Sequence, residues 1–311
     1  MQNQSIGLLN EQAAVRTLAL GDVRLTYVLD GAMEMDPVGF FPAVPAGHWA
    51  RHPEALTPSG RVAASVGGVL VQRDGRSLLI DAGLGGAALD PALGASRSGS
   101  LLRTLDALGV APGDIEAVAF THLHTDHTGW GFTQGPGEPP RKTFPNAAYL
   151  VVREEWEPYW RDEIVVGAPS TGFVEPLAGT LTLIEDGQEI FPGVTALVTP
   201  GHSPGHTTYV VSSQDVVSSP DGRRIMVLGD SFHTPGQMTC PEWTSGPDTD
   251  IEGVLKARLT LLERLEQPGT LGFAFHFGDQ PFGQVTRDAS GLRQWTPVPT
   301  EVLLPTPLLL G

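Results

Sequence analysis

The chain has 311 residues and a net charge of −16, from 19 basic and 35 acidic side chains. A surface of that sign repels phosphate backbones and anionic lipid, so neither nucleic acid nor membrane is an expected partner. The single cysteine, Cys240, excludes an intramolecular disulfide, and no segment approaches the roughly 18 apolar residues of a membrane span. Met1 to Leu20 lacks the basic start and apolar run of a signal peptide, so the expected location is the cytoplasm and the expected partner a small-molecule substrate.

Residues 1–20 read as an N-terminal arm, loose or swapped, and 21–311 as a single domain, because no repeat or linker divides them. Val23 to Leu29 alternates as a strand. Residues 33–60 carry five prolines and the aromatics Phe40, Phe41 and Trp49, the composition of a long packed loop on the substrate side. Val66 to Gln72 and Ser77 to Ile80 read as a hairpin turning at Asp74-Gly75. A helix is predicted over Ser98 to Leu108, strands over Ala117 to Phe120 and Ala147 to Val152, and a short helix over Glu154 to Trp160. Leu181 to Ile184, Thr195 to Val198, Val210 to Ser212 and Ile225 to Leu228 read as short strands. Ile251 to Leu265 has the spacing of one helical face and stops at Pro268-Gly269, and Leu271 to Phe275 reads as a last strand. Hairpins mixed with helices predict an α/β protein of packed sheets with helices outside, rather than a doubly wound sheet.

Thr121-His122-Leu123-His124-Thr125-Asp126-His127 places four candidate metal ligands in six residues. On a helix His122 and His124 would point about 200° apart. In a loop leaving a strand they share a side and can face one metal, while Asp126 and His127, beyond a turn, can face a second. His202, Asp230 and His276 each follow a short apolar run, where a sheet can hold a ligand rigidly. Five histidines and two aspartates suffice for two metal ions with one carboxylate left to bridge them.

His-X-His-X-Asp-His followed by separate His, Asp and His resembles the metallo-β-lactamase superfamily. The resemblance implies an αββα sandwich, with His122, His124 and His202 on one metal, Asp126, His127 and His276 on the other, and Asp230 bridging. It also implies that Asp81, in Leu79-Ile80-Asp81-Ala82-Gly83, and His206 support the ligands from behind. Within the superfamily, Gly201-His202-Ser203-Pro204-Gly205-His206-Thr207-Thr208-Tyr209 is similar to the group of methyl parathion hydrolase and the acyl-homoserine lactonases. The lactonases carry a catalytic tyrosine three residues after the bridging aspartate; here that position is His233, as in the parathion hydrolase-like pattern.

The implied activity is metal-dependent hydrolysis of a small ester, lactone or phosphotriester by a hydroxide bridging two divalent ions. Zinc is the expected metal, with manganese, cobalt and iron as alternatives. Asp126 and Asp230 are the expected catalytic carboxylates. Phe40, Phe41, Trp49, Trp130, Phe132 and His233 are candidates for the substrate pocket. The resemblance leaves two rivals on the same fold, a mononuclear iron dioxygenase of the persulfide type and a biosynthetic thioesterase or cyclase. It also implies that the early arm covers a neighbour's site in a homodimer.

Overall fold

In a computed structural model, residues 4–161, 163, 165, 167–213 and 223–305 are described. Two sheets carry the architecture. The first runs Gln4–Ser5, Thr300–Leu304, Val15–Leu20, Val23–Met35, Val62–Arg73, Arg76–Ile80, Ala117–Ala119, Ala148–Val152, Leu181–Ile184, and Gly94–Arg97 pairs with the far end of Val23–Met35. The second runs Glu189–Phe191, Val194–Val198, Thr207–Ser212, Arg224–Val227, Thr270–Phe273, Phe282–Arg287, Arg293–Pro297.

Period-two alternation separates the layers. Leu25, Tyr27, Val69, Val71, Leu78, Ile80, Ala117 and Ala119 of the first sheet share one buried cluster with Tyr209, Val211, Ile225, Val227 and Phe273 of the second. The intervening Val28, Leu70, Leu79 and Val118 face outward onto Leu101 and Leu105 of the helix Leu101–Ala107, Trp156 of Arg153–Trp160, and Phe173 and Leu177 of Thr171–Ala178. Met226, Leu228 and Ala274 likewise face Leu261, Leu262 and Leu265 of the helix Ile251–Leu265. Helices therefore cover the outer face of each sheet, and the molecule is an αββα sandwich as expected. Among the described residues no helix is long and apolar enough to cross a membrane.

The hairpin turn falls where Asp74-Gly75 predicts it, both residues at positive φ (52° and 76°) between strands Val62–Arg73 and Arg76–Ile80. Residues 4–20 depart from the expectation of a loose arm. Val15–Leu20 pairs with both Val23–Met35 and Thr300–Leu304, and Gln4–Ser5 adds an edge strand. Arg16 hides this strand in the sequence: its side chain is buried against Asp279, whose Oδ1 also accepts from Ala14 N at 2.8 Å. That ion pair ties the early strand to the loop following His276.

The long loop is also more ordered than its prolines suggest. Its first three residues finish the strand Val23–Met35, and Ala46–Arg51 is helical. Phe40, Phe41 and Trp49 close a small core with Met33, Met35, Val62, Val66 and Leu84. The helix Thr171–Ala178 went unforeseen because Gly172 and Pro176 interrupt its pattern, and the strands Phe282–Arg287, Arg293–Pro297 and Thr300–Leu304 because polar residues dilute their alternation.

Candidate metal centre

All seven candidate ligands converge at one edge of the sandwich, in the segments that leave the strands: Asp126 and His127 on the short helix Thr125–Thr128, Asp230 on the 3-10 turn Gly229–Ser231, and the others in loops. Strand Ala117–Ala119 delivers the His122 to His127 segment, Val194–Val198 delivers His202, Arg224–Val227 delivers Asp230, and Thr270–Phe273 delivers His276. Two groups of ligand atoms form, with all atoms in each lying within 4.8 Å of one another: His122, His124, His202 and Asp230, and Asp126, His127, Asp230 and His276. Asp230 belongs to both. Its Oδ1 lies 3.1 Å from His276 Nε2 and 3.2 Å from His127 Nε2, and its Oδ2 lies 3.5 Å from His202 Nε2 and 3.8 Å from His122 Nε2.

The hydrogen bonds behind these rings set which nitrogen carries the proton. His276 Nδ1 lies 3.0 Å from the Ser65 carbonyl, which accepts only, so Nδ1 donates. His127 Nδ1 donates to Asp81 Oδ2 at 2.8 Å, and His202 Nδ1 to Asp248 Oδ1 at 2.8 Å. Thr121 Oγ1 gives its proton to Asp81 Oδ2 at 2.7 Å, so His122 Nδ1, 3.0 Å away, must donate to Thr121. In each neutral ring Nε2 is left as a lone pair, aimed toward a carboxylate that is itself an acceptor. Acceptors facing one another in a buried site need a cation between them. The Nε2 atoms of His122 and His127 are buried without a hydrogen-bond partner, as metal-ligand atoms lacking their ion would be, while His124 turns its Nδ1 toward His202 Nε2 at 3.1 Å.

Electrostatics point the same way. Burial disfavours the His127 cation, yet Asp230, Asp126 and Asp81 hold its pKa well above the ordinary value. Burial would raise the Asp230 carboxyl, yet His127, His276 and His233 hold it well below the carboxylate range. At His124 burial and the neighbouring His202 outweigh Asp126 and Asp230, and its pKa falls to about 3. The carboxylates thus draw positive charge into the cluster, raising His127 and His276 against their burial, and divalent ions bound by nitrogen and oxygen donors supply such charge well. The donor set fits two such ions.

Asp81 and His206 each contact a candidate ligand directly. Asp81 stands at φ 63° at the end of Arg76–Ile80 and binds Thr121 N, Thr121 Oγ1 and His127 Nδ1. His206 Nε2 accepts from Asp230 N at 2.9 Å, which orients the shared carboxylate through its backbone. Gly229 makes this contact possible: at φ 54°, any Cβ would sit 2.4 Å from His206 Nε2.

His206 must be neutral to accept that bond, and burial lowers its pKa to about 3. A pKa lowered on folding stabilises above the unfolded value of about 6.5 and loses that contribution as pH falls toward 3. The denaturant midpoints of the metal-free wild type and His206→Gln are therefore expected to converge as pH drops from 7 to 4. A constant gap would assign the difference to packing alone.

The cavity over the centre has a volume of about 610 Å³, with His124, Asp126 and Asp230 among its lining residues. Of the six pocket candidates, Phe40 lines it. Phe41 and Trp49 do not; they pack behind Phe40, its ring centroid 5.0 Å from Phe41 and Phe41's 5.4 Å from Trp49. Trp130 is held aside by donating to Asp30 Oδ1 at 2.7 Å, and Phe132 lines a neighbouring cavity of about 270 Å³. His233 is fully buried beside the centre, its Nε2 3.1 Å from Asp230 Oδ2 and its ring against Phe40. The larger apolar side chains of the wall are Leu84, Leu89, Leu93, Val165 and Pro247, loop residues that no sequence period singles out, and Asp90 also lines it.

Sequence reasoning also missed two buried carboxylates. Glu155 accepts from Leu123 N, Ser203 Oγ and Gly205 N, lacing the His122–His124 loop to the His202 loop. In the sequence it is one more acid in a helix's first turn. Asp248, behind His202, reads as an ordinary turn residue in Gly246-Pro247-Asp248.

With this geometry in view, residues 68–133 match the family model described as the metallo-beta-lactamase superfamily. An N-acyl homoserine lactonase of Bacillus cereus is 30% identical over 117 residues, 37% of this chain and 40% of that protein. The N-acyl homoserine lactonase AttM of Rhizobium radiobacter is 32% identical over 117 residues, again 40% of its length. The chain thus matches well under half the length of these curated relatives. Among solved structures, AidC, described as a dizinc quorum-quenching lactonase, superposes with a TM-score of 0.77 at 20% identity, covering 93% of this chain and 99% of that one. The hydrolase AbOPH, described as in the beta lactamase superfamily, gives 0.75 at 23% identity, with the same 93% and 99% coverage. The chain has the metallo-β-lactamase fold, and in motif and matched segment it resembles the lactonase-type hydrolases of that superfamily.

Proposed function

We propose that the chain is a dinuclear metal-dependent hydrolase of a small, uncharged ester, lactone or phosphotriester. The observation that carries the reading is the set of imidazole Nε2 lone pairs turned toward Asp230 by hydrogen bonds behind each ring. His122, His124 and His202 would hold one ion and Asp126, His127 and His276 the other, with Asp230 shared. Zinc suits this mixed nitrogen and oxygen donor set, which manganese, cobalt and iron also accept. When bound, such a pair supplies Lewis acidity and lowers the pKa of water to near neutrality.

The chain's own residues do the rest. Asp230 sets the spacing of the two groups through its two oxygens. Asp126 lines the cavity with its side chain 18% exposed, which supports a role in holding a proton in transit to the leaving oxygen. The apolar wall of Phe40, Leu84, Leu89, Leu93, Val165 and Pro247 excludes water around the reacting bond and favours an apolar substituent. Among the described residues, no lysine or arginine lines that cavity, which supports an uncharged substrate. The proposed setting is the cytoplasm.

The test is elemental analysis of protein purified without added metal, followed by a panel of uncharged lactones, esters and phosphotriesters. About two zinc, manganese or cobalt ions per chain and saturable hydrolysis are expected. One iron per chain with oxygen uptake on sulfur substrates would overturn the reading in favour of a dioxygenase, and thiol release confined to acyl thioesters in favour of a thioesterase.

A further inference from the structure

Arg258 stands on the inward face of the helix Ile251–Leu265, between Val254 and Leu261, and is fully buried. An aliphatic side chain would fill that face without the cost of burying a charge. The guanidinium instead reaches four acceptors: Nε donates to the Ser231 carbonyl at 2.6 Å, Nη1 to those of Pro241 and Trp243 at 3.1 and 2.6 Å, and Nη2 to Asp248 Oδ2 at 3.2 Å. Asp248 is equally buried, and each of its oxygens is taken: Oδ2 also accepts from Ser245 N at 2.7 Å, and Oδ1 from His202 Nδ1 at 2.8 Å. The next residue closes the brace, Thr249 donating through N and Oγ1 to the His202 carbonyl at 3.2 and 3.1 Å. Gly246 and Pro247, in the same segment, form part of the cavity wall.

We propose that the Asp248–Arg258 pair is a positioning device for His202, which selectively secures the ion held by His122, His124 and His202 while fixing the adjacent cavity wall. The inference rests on the dinuclear reading above. Selectivity follows from the separate supports of the other group: His127 leans on Asp81 and His276 on the Ser65 carbonyl, neither of which touches Asp248 or Arg258. Both Asp248 oxygens receive N–H groups, so an amide in its place must turn its own NH₂ against a donor on one side. His202 would then lose either its orientation or its acceptor.

Zinc competition against a fluorescent chelator tests this on the full chain. Wild type is expected to show two binding steps. Asp248→Asn should weaken one by about 10–100-fold and leave the other within about twofold, the size of effect usual when a group behind a metal-binding histidine is lost. In a His276→Ala background, which retains the His122, His124 and His202 group, the single remaining step should weaken by the same factor when Asp248→Asn is added. Equal weakening of both wild-type steps would reduce the pair to general packing and overturn the proposal, as would no change in either. Should Asp248→Asn fail to fold, Asp248→Ala removes the acceptor without opposing donors and carries the same expectation. Absence of any zinc step in wild type would instead refute the dinuclear reading itself, so the two failures are distinguishable.

Discussion

Asp230→Asn is expected to lower kcat/KM by about 10³-fold or more, equivalent to roughly 4 kcal/mol of transition-state stabilisation. The loss follows from geometry. Asp230 presents Oδ1 to His127 and His276 and Oδ2 to His122 and His202, so it is the one side chain common to both groups of ligands. An amide keeps one oxygen and turns an NH₂ toward the other ion, an unfavourable contact where a charge-bearing acceptor is needed. The fold should survive, because Asp230 is anchored by its backbone N–H on His206 and the amide conserves volume. Elemental analysis should give fewer than two ions per chain with an unchanged circular dichroism spectrum. A variant with one site emptied and full activity would sink the mechanism.

Removing the metal should produce the second large effect. Without ions, Asp126 and Asp230 are left to the imidazoles alone, of which His127 and His276 are raised while burial lowers His122 and His124. A ligand bound only by the native state adds about 4 kcal/mol when free at a thousand times its Kd. For a chain of this size that is on the order of 10 °C in Tm. Exhaustive chelation should therefore abolish hydrolysis and lower Tm by roughly that amount, and stoichiometric zinc should restore both. An unchanged Tm after chelation, with metal loss verified, would show that the cluster is satisfied by its own protons and would count against a metal centre.

Much of this arrangement is legible along the chain, and the reason is local. Alternation at Val69 to Val71 and at Leu78 to Ile80 sorts residues between the inner and outer faces of a sheet whatever lies beyond. The apolar stripe of Ile251–Leu265 marks that helix along the chain, and the structure adds its cap, Asp250 Oδ1 accepting from Gly253 N at 3.0 Å. The ligands could be nominated because strand and loop alternate in sequence as they do in space, so a histidine closing a short apolar run sits at a strand end.

Other features depend on partners distant in sequence. Arg16 looks like a reason to deny a strand until Asp279 appears beside it across 263 residues. Phe41 and Trp49 look like pocket walls, but the surrounding Met33, Val62 and Val66 absorb them into a core, leaving Phe40 at the cavity. Glu155 and Asp248 carry no local mark; each matters through the donors that other segments bring to it. Composition, periodicity and motif spacing thus decide layers, strand ends and candidate ligands, since they depend on neighbours within a few residues. The choice of imidazole nitrogen, the sharing of Asp230 and the cavity wall are decided by the tertiary structure, because a buried polar group takes its role from whichever donor or acceptor faces it.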